Sequence, residues 1–245
     1  PVVGGLAVSA ALMGVFFAGM LPYFQPTAGE NVLWHHLIAV LGLLTAGLAI
    51  ALPLYLFYDG ARKRAAARGE SFALALGRIL TKARTQSGGY LTHLGMGIIL
   101  VGLVGSTMFV ETHELEVPTK PGSAITAHGY TFAVRELKET TEPNGDVVYT
   151  LALDAKRGSR QLGVLKPKLV FPVQLQSKRQ STQKVALIQE PLKDVFVSFH
   201  GVNEANEASV TIKFFPMQWW VWSGFIVTIV GSALAAWPKR QLQAA

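Results

Sequence analysis

The sequence predicts an integral membrane α-helical protein with four spans and a small all-β extracytoplasmic domain between the third and the fourth. Three observations predict it. Half of the 245 residues are hydrophobic and 15% are charged, against about 25% charged in ordinary soluble domains. Four apolar runs contain no Asp, Glu, Lys or Arg. Between the third and fourth runs lie 106 residues, 111–216, in which apolar and polar residues alternate at strand period.

The first run covers Val2 to Leu21, long enough to cross a hydrocarbon core of ~30 Å. No Lys or Arg precedes it, so it does not read as a signal peptide. The chain begins with Pro1 rather than Met, which points to a processed product or the later part of a longer protein. A loop containing Pro22, Gln25, Pro26, Thr27, Gly29, Glu30 and Asn31 follows. The second run extends from Trp34 to Tyr58, with Trp34, Tyr55 and Tyr58 at interfacial positions. From Asp59 to Ser87 the chain is basic. Phe72, Leu76, Ile79, Leu80 and Ala83 recur there at helical spacing, with Arg78 and Lys82 off the stripe, which predicts an amphipathic helix on the membrane surface. The third run is Gly89 to Val110. The fourth opens at Trp219-Trp220 and ends near Trp237, stopped by Pro238-Lys239-Arg240.

Charge sets the expected orientation. The 59–87 stretch and the C-terminal tail hold nine of the 22 basic residues and two of the 15 acidic ones. Four alternating spans put both segments on one side, and the positive-inside rule makes that side cytoplasmic. The net charge of +7 is therefore an orientation signal, and nucleic acid is not an expected partner. The expected organisation is 1–110 for three helices with a basic cytoplasmic amphipathic loop at 59–88, 111–216 for a β-rich domain facing a periplasm-like space, and 217–245 for the last helix and a basic tail.

In the outer segment, Tyr130–Leu137 and Val147–Leu153 flank Pro143-Asn144-Gly145-Asp146, a hairpin signal. Leu162–Val173, Lys184–Ile188, Val195–Phe199 and Ser209–Phe215 continue the strand pattern. A small sandwich or barrel follows.

The chain has no cysteine, which excludes thiolate metal sites, Cys nucleophiles, redox dithiols and disulfides. No Gly-rich phosphate loop, GxSxG or HExxH pattern occurs. Glu111, Glu114 and Glu116 form no recognisable catalytic pair.

His93 is the sharpest candidate. It lies about four residues inside the third run, where an ionisable residue is costly and marks a functional site by default. Gly89 and Gly97, at i−4 and i+4, leave the wall beside its imidazole bare. Met96 lies at i+3, and Gly95, Gly102 and Gly105 thin the same helix. Such a wall suits a flat macrocycle whose iron an imidazole can reach. It equally suits close helix packing, with His93 hydrogen-bonded to a neighbour. His35 and His36 point about 100° apart on a helix, so one partner cannot engage both; an interfacial pair or an outer ligand or quinone contact are the two readings. His113, beside Glu111 and Glu114, reads as a solvated boundary residue. His128-Gly129 and His200-Gly201 read as turns, and neither has a zinc-type spacing.

The run Gly89-Tyr90-Leu91-Thr92-His93-Leu94-Gly95-Met96-Gly97 resembles the His-bearing late span of the CcmF family of cytochrome c maturation haem lyases. The order that follows is similar too: Gly129-Tyr130-Thr131-Phe132, Leu165-Lys166-Pro167-Lys168, Ser181-Thr182-Gln183-Lys184-Val185-Ala186, Leu192-Lys193-Asp194-Val195-Phe196-Val197-Ser198, then a Trp-rich last span and basic tail. The match covers Gly88 to Arg240, and the first two runs agree by topology alone. The resemblance implies a C-terminal part of such a lyase in the bacterial inner membrane, with its β-domain in the periplasm. It implies that His93 is an axial ligand of a transmembrane haem b that reduces the iron of incoming haem. It further implies that haem arrives on the pathway's haem chaperone and is joined to the CxxCH cysteines of an apocytochrome c held by other subunits. The chain would be a component of a thioether-forming complex rather than a self-contained enzyme.

The family's tryptophan-rich signature, WGxWWxWD, is absent, since Trp219-Trp220-Val221-Trp222 opens a span and lacks the aspartate. His35 and His36 match no family ligand. The second ligand of a haem b must therefore come from outside this chain: either this is the C-terminal piece of a longer haem lyase whose upstream or N-terminal part carries that motif, or a separate chain completes it. The alternative is a cofactor-free membrane scaffold whose β-domain docks assembly partners, with His93 as a packing residue. A permease is a third reading, weakened by the absence of charge within the spans.

Overall fold

The computed structural model describes residues 2–19, 31–173 and 180–237. The expected loop from Pro22 to Glu30 and the stop at Pro238-Lys239-Arg240 lie outside them. The chain divides into two compact units: a helical one, Pro1–Phe109 with Pro216–Ala245, and a β unit, Val110–Phe215.

The helical unit contains α1 (Val2–Gly19), α2 (Val32–Arg68), α3 (Phe72–Lys82), α4 (Arg84–Met108) and α5 (Gln218–Ala236). Three of these, α2, α4 and α5, are long and apolar enough to cross a membrane. The sequence led us to expect four. α1 is apolar but its 18 residues reach only about 27 Å at 1.5 Å per residue, just short of the ~30 Å core.

The basic stretch also departs from expectation. Asp59–Arg68 is not part of a surface loop but prolongs α2 to 37 residues. Ala61 and Ala65–Ala67 favour helix, Lys63 pairs with Asp59 one turn back at 2.7 Å, and nothing breaks the helix until Gly69. That residue adopts φ +61 and returns its N–H to the Ala65 carbonyl, a left-handed stop that glycine takes without steric cost. Glu70 then receives Arg64 from α2 (2.6 Å) and Arg78 from α3. Ser71 caps α3, and the α3 stripe turns toward α2: Phe72 meets Tyr58 at 5.8 Å between rings, and Ile79 lies against Gly60. The third run starts at Arg84, five residues earlier than its apolar edge.

Glycines on α4 form a seam against α5. A Cβ on Gly88, Gly95 or Gly102 would stand 2.4–2.6 Å from backbone nitrogens of Ala235, Thr228 and Val221 respectively. The seven-residue spacing keeps all three on one stripe, and Gly224 and Gly231 answer them from α5. On the opposite face, Gly97 meets Ile50 and Tyr90 meets Phe57 of α2. Phe16, Ala39, Leu43, Ala46, Val101 and Val104 form the core of the bundle.

The β unit is a two-sheet sandwich. Its strands are β1 (Glu111–Pro118), β2 (Ala124–Ala127), β3 (Tyr130–Thr141), β4 (Val147–Arg157), β5 (Arg160–Leu165), β6 (Lys168–Phe171), β7 (Thr182–Lys184), β8 (Ala186–Gln189), β9 (Lys193–Val202) and β10 (Glu207–Pro216). One sheet has the order β1-β10-β9-β8. The other has β2-β3-β4-β6-β7, with β5 also paired to β4. Tyr130, Phe132, Leu151, Leu153, Val197, Phe199, Val210 and Ile212 alternate inward to form its core. The expected Leu162–Val173 strand is two strands, because Lys166-Pro167 interrupts the ladder and proline donates no hydrogen bond. His200 and Gly201 lie inside β9 rather than in a turn. Both β1 and β2 escape the sequence reading. β1 carries Glu111, Thr112, His113, Glu114 and Glu116, yet Glu111 and Val117 on its inward side are buried while Thr112, Glu114 and Glu116 stay outside.

Candidate functional site

α4 carries His93 on its one open face. Helical spacing of four, three, four, three and four residues aligns Gly89, His93, Met96, Leu100, Leu103 and Thr107. This stripe lies between the faces used by α5 and α2, and His93 is exposed on it, with Met96 49% and Leu103 42% accessible. Among the described residues no hydrogen-bonding or ionic partner reaches His93. The reading in which a neighbour simply satisfies the imidazole therefore lacks the neighbour it requires among those residues.

The glycines divide into two groups. Gly88, Gly95 and Gly102 serve the α5 seam, and Gly97, expected to leave a bare wall beside His93, is filled by Ile50 of α2, 2.7 Å from where a Cβ would stand. Gly89 alone keeps that expectation: a Cβ there would meet nothing within 4 Å. The open wall lies one turn before the imidazole only. Gly89 leaves bare backbone there, and an imidazole is a donor that suits an iron.

His35 and His36 open α2, behind the cap that Asn31 provides to Leu33 and Trp34. The His36 ring stands 5.9 Å from Phe17. The contacts Gly97–Ile50 and Tyr90–Phe57 put His93 level with residues near 54 of α2. His36 lies some 18 residues away along that helix, about 27 Å. One iron cannot bind both.

The β unit holds a second polar cluster that the sequence did not reveal. Glu111 is 8% accessible. His113 Nε2 pairs with its Oε1, and His128 Nδ1 lies 3.4 Å from its Oε2. Both imidazoles pack on Phe214, with ring centroids 5.9 and 5.3 Å away. His113, expected as a solvated boundary residue, is half-buried and pairs with Glu111. The only sequence signal is their i, i+2 spacing, which puts both on one face once the segment is known to be a strand. Lys193 Nζ stands 5.0 Å from the Tyr130 ring centre and 5.3 Å from that of Phe214, and Arg157 covers Tyr130 at 5.3 Å. The Tyr130 hydroxyl donates to Glu190 Oε2 at 2.6 Å and Arg157 donates to the same oxygen at 2.7 Å.

These contacts set the titration of the cluster. Burial lowers the His128 imidazole, Lys193 lowers it further, and Glu111 opposes them. Burial lowers the Lys193 ammonium, and neighbouring Arg157 adds to this against Glu190 and Glu111. Burial alone would raise Glu190, but the Tyr130 hydroxyl and Arg157 outweigh it and hold the carboxyl below its ordinary value. Among the described residues no group of three His, Asp or Glu is placed to hold a metal ion.

No family model matches the chain. Two curated relatives do. The cytochrome c-type biogenesis protein CcmF of Pseudomonas aeruginosa is 26% identical over 171 residues, 68% of this chain and 24% of that protein. CcmF of Escherichia coli is 23% identical over 154 residues, 60% of this chain and 22% of that protein. A solved structure titled cytochrome c heme lyase CcmF superposes with a TM-score of 0.56 at 19% identity, covering 96% of this chain and 40% of its own. Over these lengths the chain is similar to CcmF. It spans about a quarter of the length of the curated relatives it matches. The likeness in fold to the solved CcmF structure extends over nearly all of this chain, including the first two helices, where the sequence resemblance rested on topology alone.

Proposed function

We propose that this chain is part of a cytochrome c maturation haem lyase in the bacterial inner membrane, and that His93 is an axial ligand of a transmembrane haem b. The observation that carries the reading is His93 itself: an imidazole exposed on the open face of a membrane-length helix, one turn from a glycine with nothing in front of it. The two CcmF relatives supply the pathway.

Bound there, haem b would supply one-electron chemistry. Within this chain His93 would hold its iron. Gly89 leaves backbone rather than side chain against the macrocycle. Met96 and Leu103 would offer apolar surface beside it, favouring a low-dielectric setting for the iron. His35 and His36 stand a helix length away and would not share that iron; a second ligand would come from outside this chain. The β-rich domain faces the periplasm, where the haem chaperone delivers haem to apocytochrome c and its holding subunits.

Holocytochrome c assembly in cells tests the reading. His93→Ala and His93→Phe are both expected to abolish it. Full assembly by His93→Phe, which keeps a bulky ring but no ligand, would instead support the cofactor-free scaffold.

A further inference from the structure

The tips of the β unit differ sharply in charge. At one end the β4–β5 turn reads Lys156-Arg157-Gly158-Ser159-Arg160, all exposed and without an acid. At the other end the β3–β4 turn (142–146) and the β9–β10 turn (203–207) carry Glu142, Asp146, Glu204 and Glu207 and no Lys or Arg, with Lys120 of the adjoining β1–β2 loop the cation beside them. Arg157 and Arg160 are register partners across their hairpin, a like-charge pair that costs stability unless anions offset it. Glu190 offsets Arg157. Among the described residues no carboxylate comes within ion-pair distance of Lys156 or Arg160.

Beside this basic tip the β8–β9 turn presents Leu192, 66% accessible, next to Pro191. The Arg157–Glu190 bond of 2.7 Å ties the two turns together. An exposed leucine beside cations has the composition of a membrane-interface contact.

Chain connectivity says which end this is. The tip belongs to the cluster containing Glu111 and Phe214, through Tyr130, Lys193 and His128. Only Phe109 and Val110 separate α4 from β1, and only Met217 separates β10 from α5. The basic end is thus the one tethered within a few residues of two membrane-length helices, and the acidic turns are at the free end.

We propose that the Lys156–Arg160 hairpin tip and Leu192 dock on an anionic lipid surface, Leu192 entering the headgroup region while Lys156 and Arg160 engage lipid phosphates. The contact rests on α4 and α5 lying in the bilayer and is independent of haem. Each surface cation contributes roughly a fivefold preference for an anionic over a neutral bilayer, screened by salt.

The absence of cysteine allows a direct test on the full chain. Leu192→Cys and, as a control at the free end, Glu204→Cys are labelled with an environment-sensitive fluorophore. The protein is reconstituted in phosphatidylglycerol-containing or pure phosphatidylcholine vesicles that carry a headgroup-level quencher lipid. The expected result is strong quenching at 192 in phosphatidylglycerol vesicles and little at 204. At 192 it falls toward the 204 level in phosphatidylcholine, in 1 M salt (on the order of a 3 Å screening length), or with Lys156→Glu and Arg160→Glu. Quenching at 192 no greater than at 204 overturns the proposal. So does quenching at 192 that ignores lipid charge and both reversals.

Discussion

A Cβ on Gly95 would stand 2.6 Å from the backbone nitrogen of Thr228. No rotamer change can relieve a contact with backbone, so the α4–α5 seam tolerates no side chain there. Gly95→Val is expected to destabilise the bundle by about 1–3 kcal/mol or more through overpacking. Thermal unfolding of the detergent-solubilised protein would register the loss as a lower transition temperature.

Gly89, one turn from His93, faces open space. Gly89→Leu should not lower that transition temperature, since a Cβ there meets nothing within 4 Å and leucine favours helix over glycine. Haem retention should drop severalfold, because the new side chain occupies the wall proposed to face the macrocycle. Haem content per protein, measured by pyridine haemochrome, separates the two effects.

Tyr130 and Arg157 hold Glu190 below its ordinary pKa of 4.5. A depressed carboxyl stabilises the native state above its unfolded value, and that contribution is lost as pH falls through 4.5 toward the native value. Tyr130→Phe should cost roughly 1–2 kcal/mol at pH 7 by removing a hydrogen bond to a charged group. Amide exchange protection of β3 and β9 should fall in the variant at pH 7, and the gap to the parent should narrow under acid.

His128 titrates below its ordinary 6.5, so the unfolded chain takes up the proton first. Stability is complete above about 6.5 and declines as pH drops through that value toward the native one. His128 holds φ +49, a conformation asparagine also accepts. His128→Asn should keep the turn and flatten the change in β-unit stability between pH 7 and 5.5. A slope unchanged from the parent would remove His128 as its source.

The helices were legible where apolar length decides, and α4 and α5 follow their runs closely. The sequence could not show that Ala- and Arg-rich 59–68 continues α2, because the same residues suit a surface helix. The α4 glycines had two physical uses, and only the position of the partner helices separates the packing role of Gly95 and Gly97 from the open wall at Gly89. In the β unit, alternation exposed β3, β4, β9 and β10. β1 stayed hidden because three acids and a histidine mask its period. The Glu111–His113–His128 and Tyr130–Arg157–Glu190 contacts join residues up to 60 positions apart, and no local pattern encodes such a meeting.

The central claim is that the exposed imidazole on α4 ligates haem, and imidazole rescue tests it most directly. His93→Gly would be purified with the segments or partners that accompany the native protein, and reduced-minus-oxidised spectra recorded with and without free imidazole. The account predicts that the b-type signal is lost in the variant and returns when imidazole fills the space left by the side chain. A b-type spectrum that persists in His93→Gly without imidazole would contradict it.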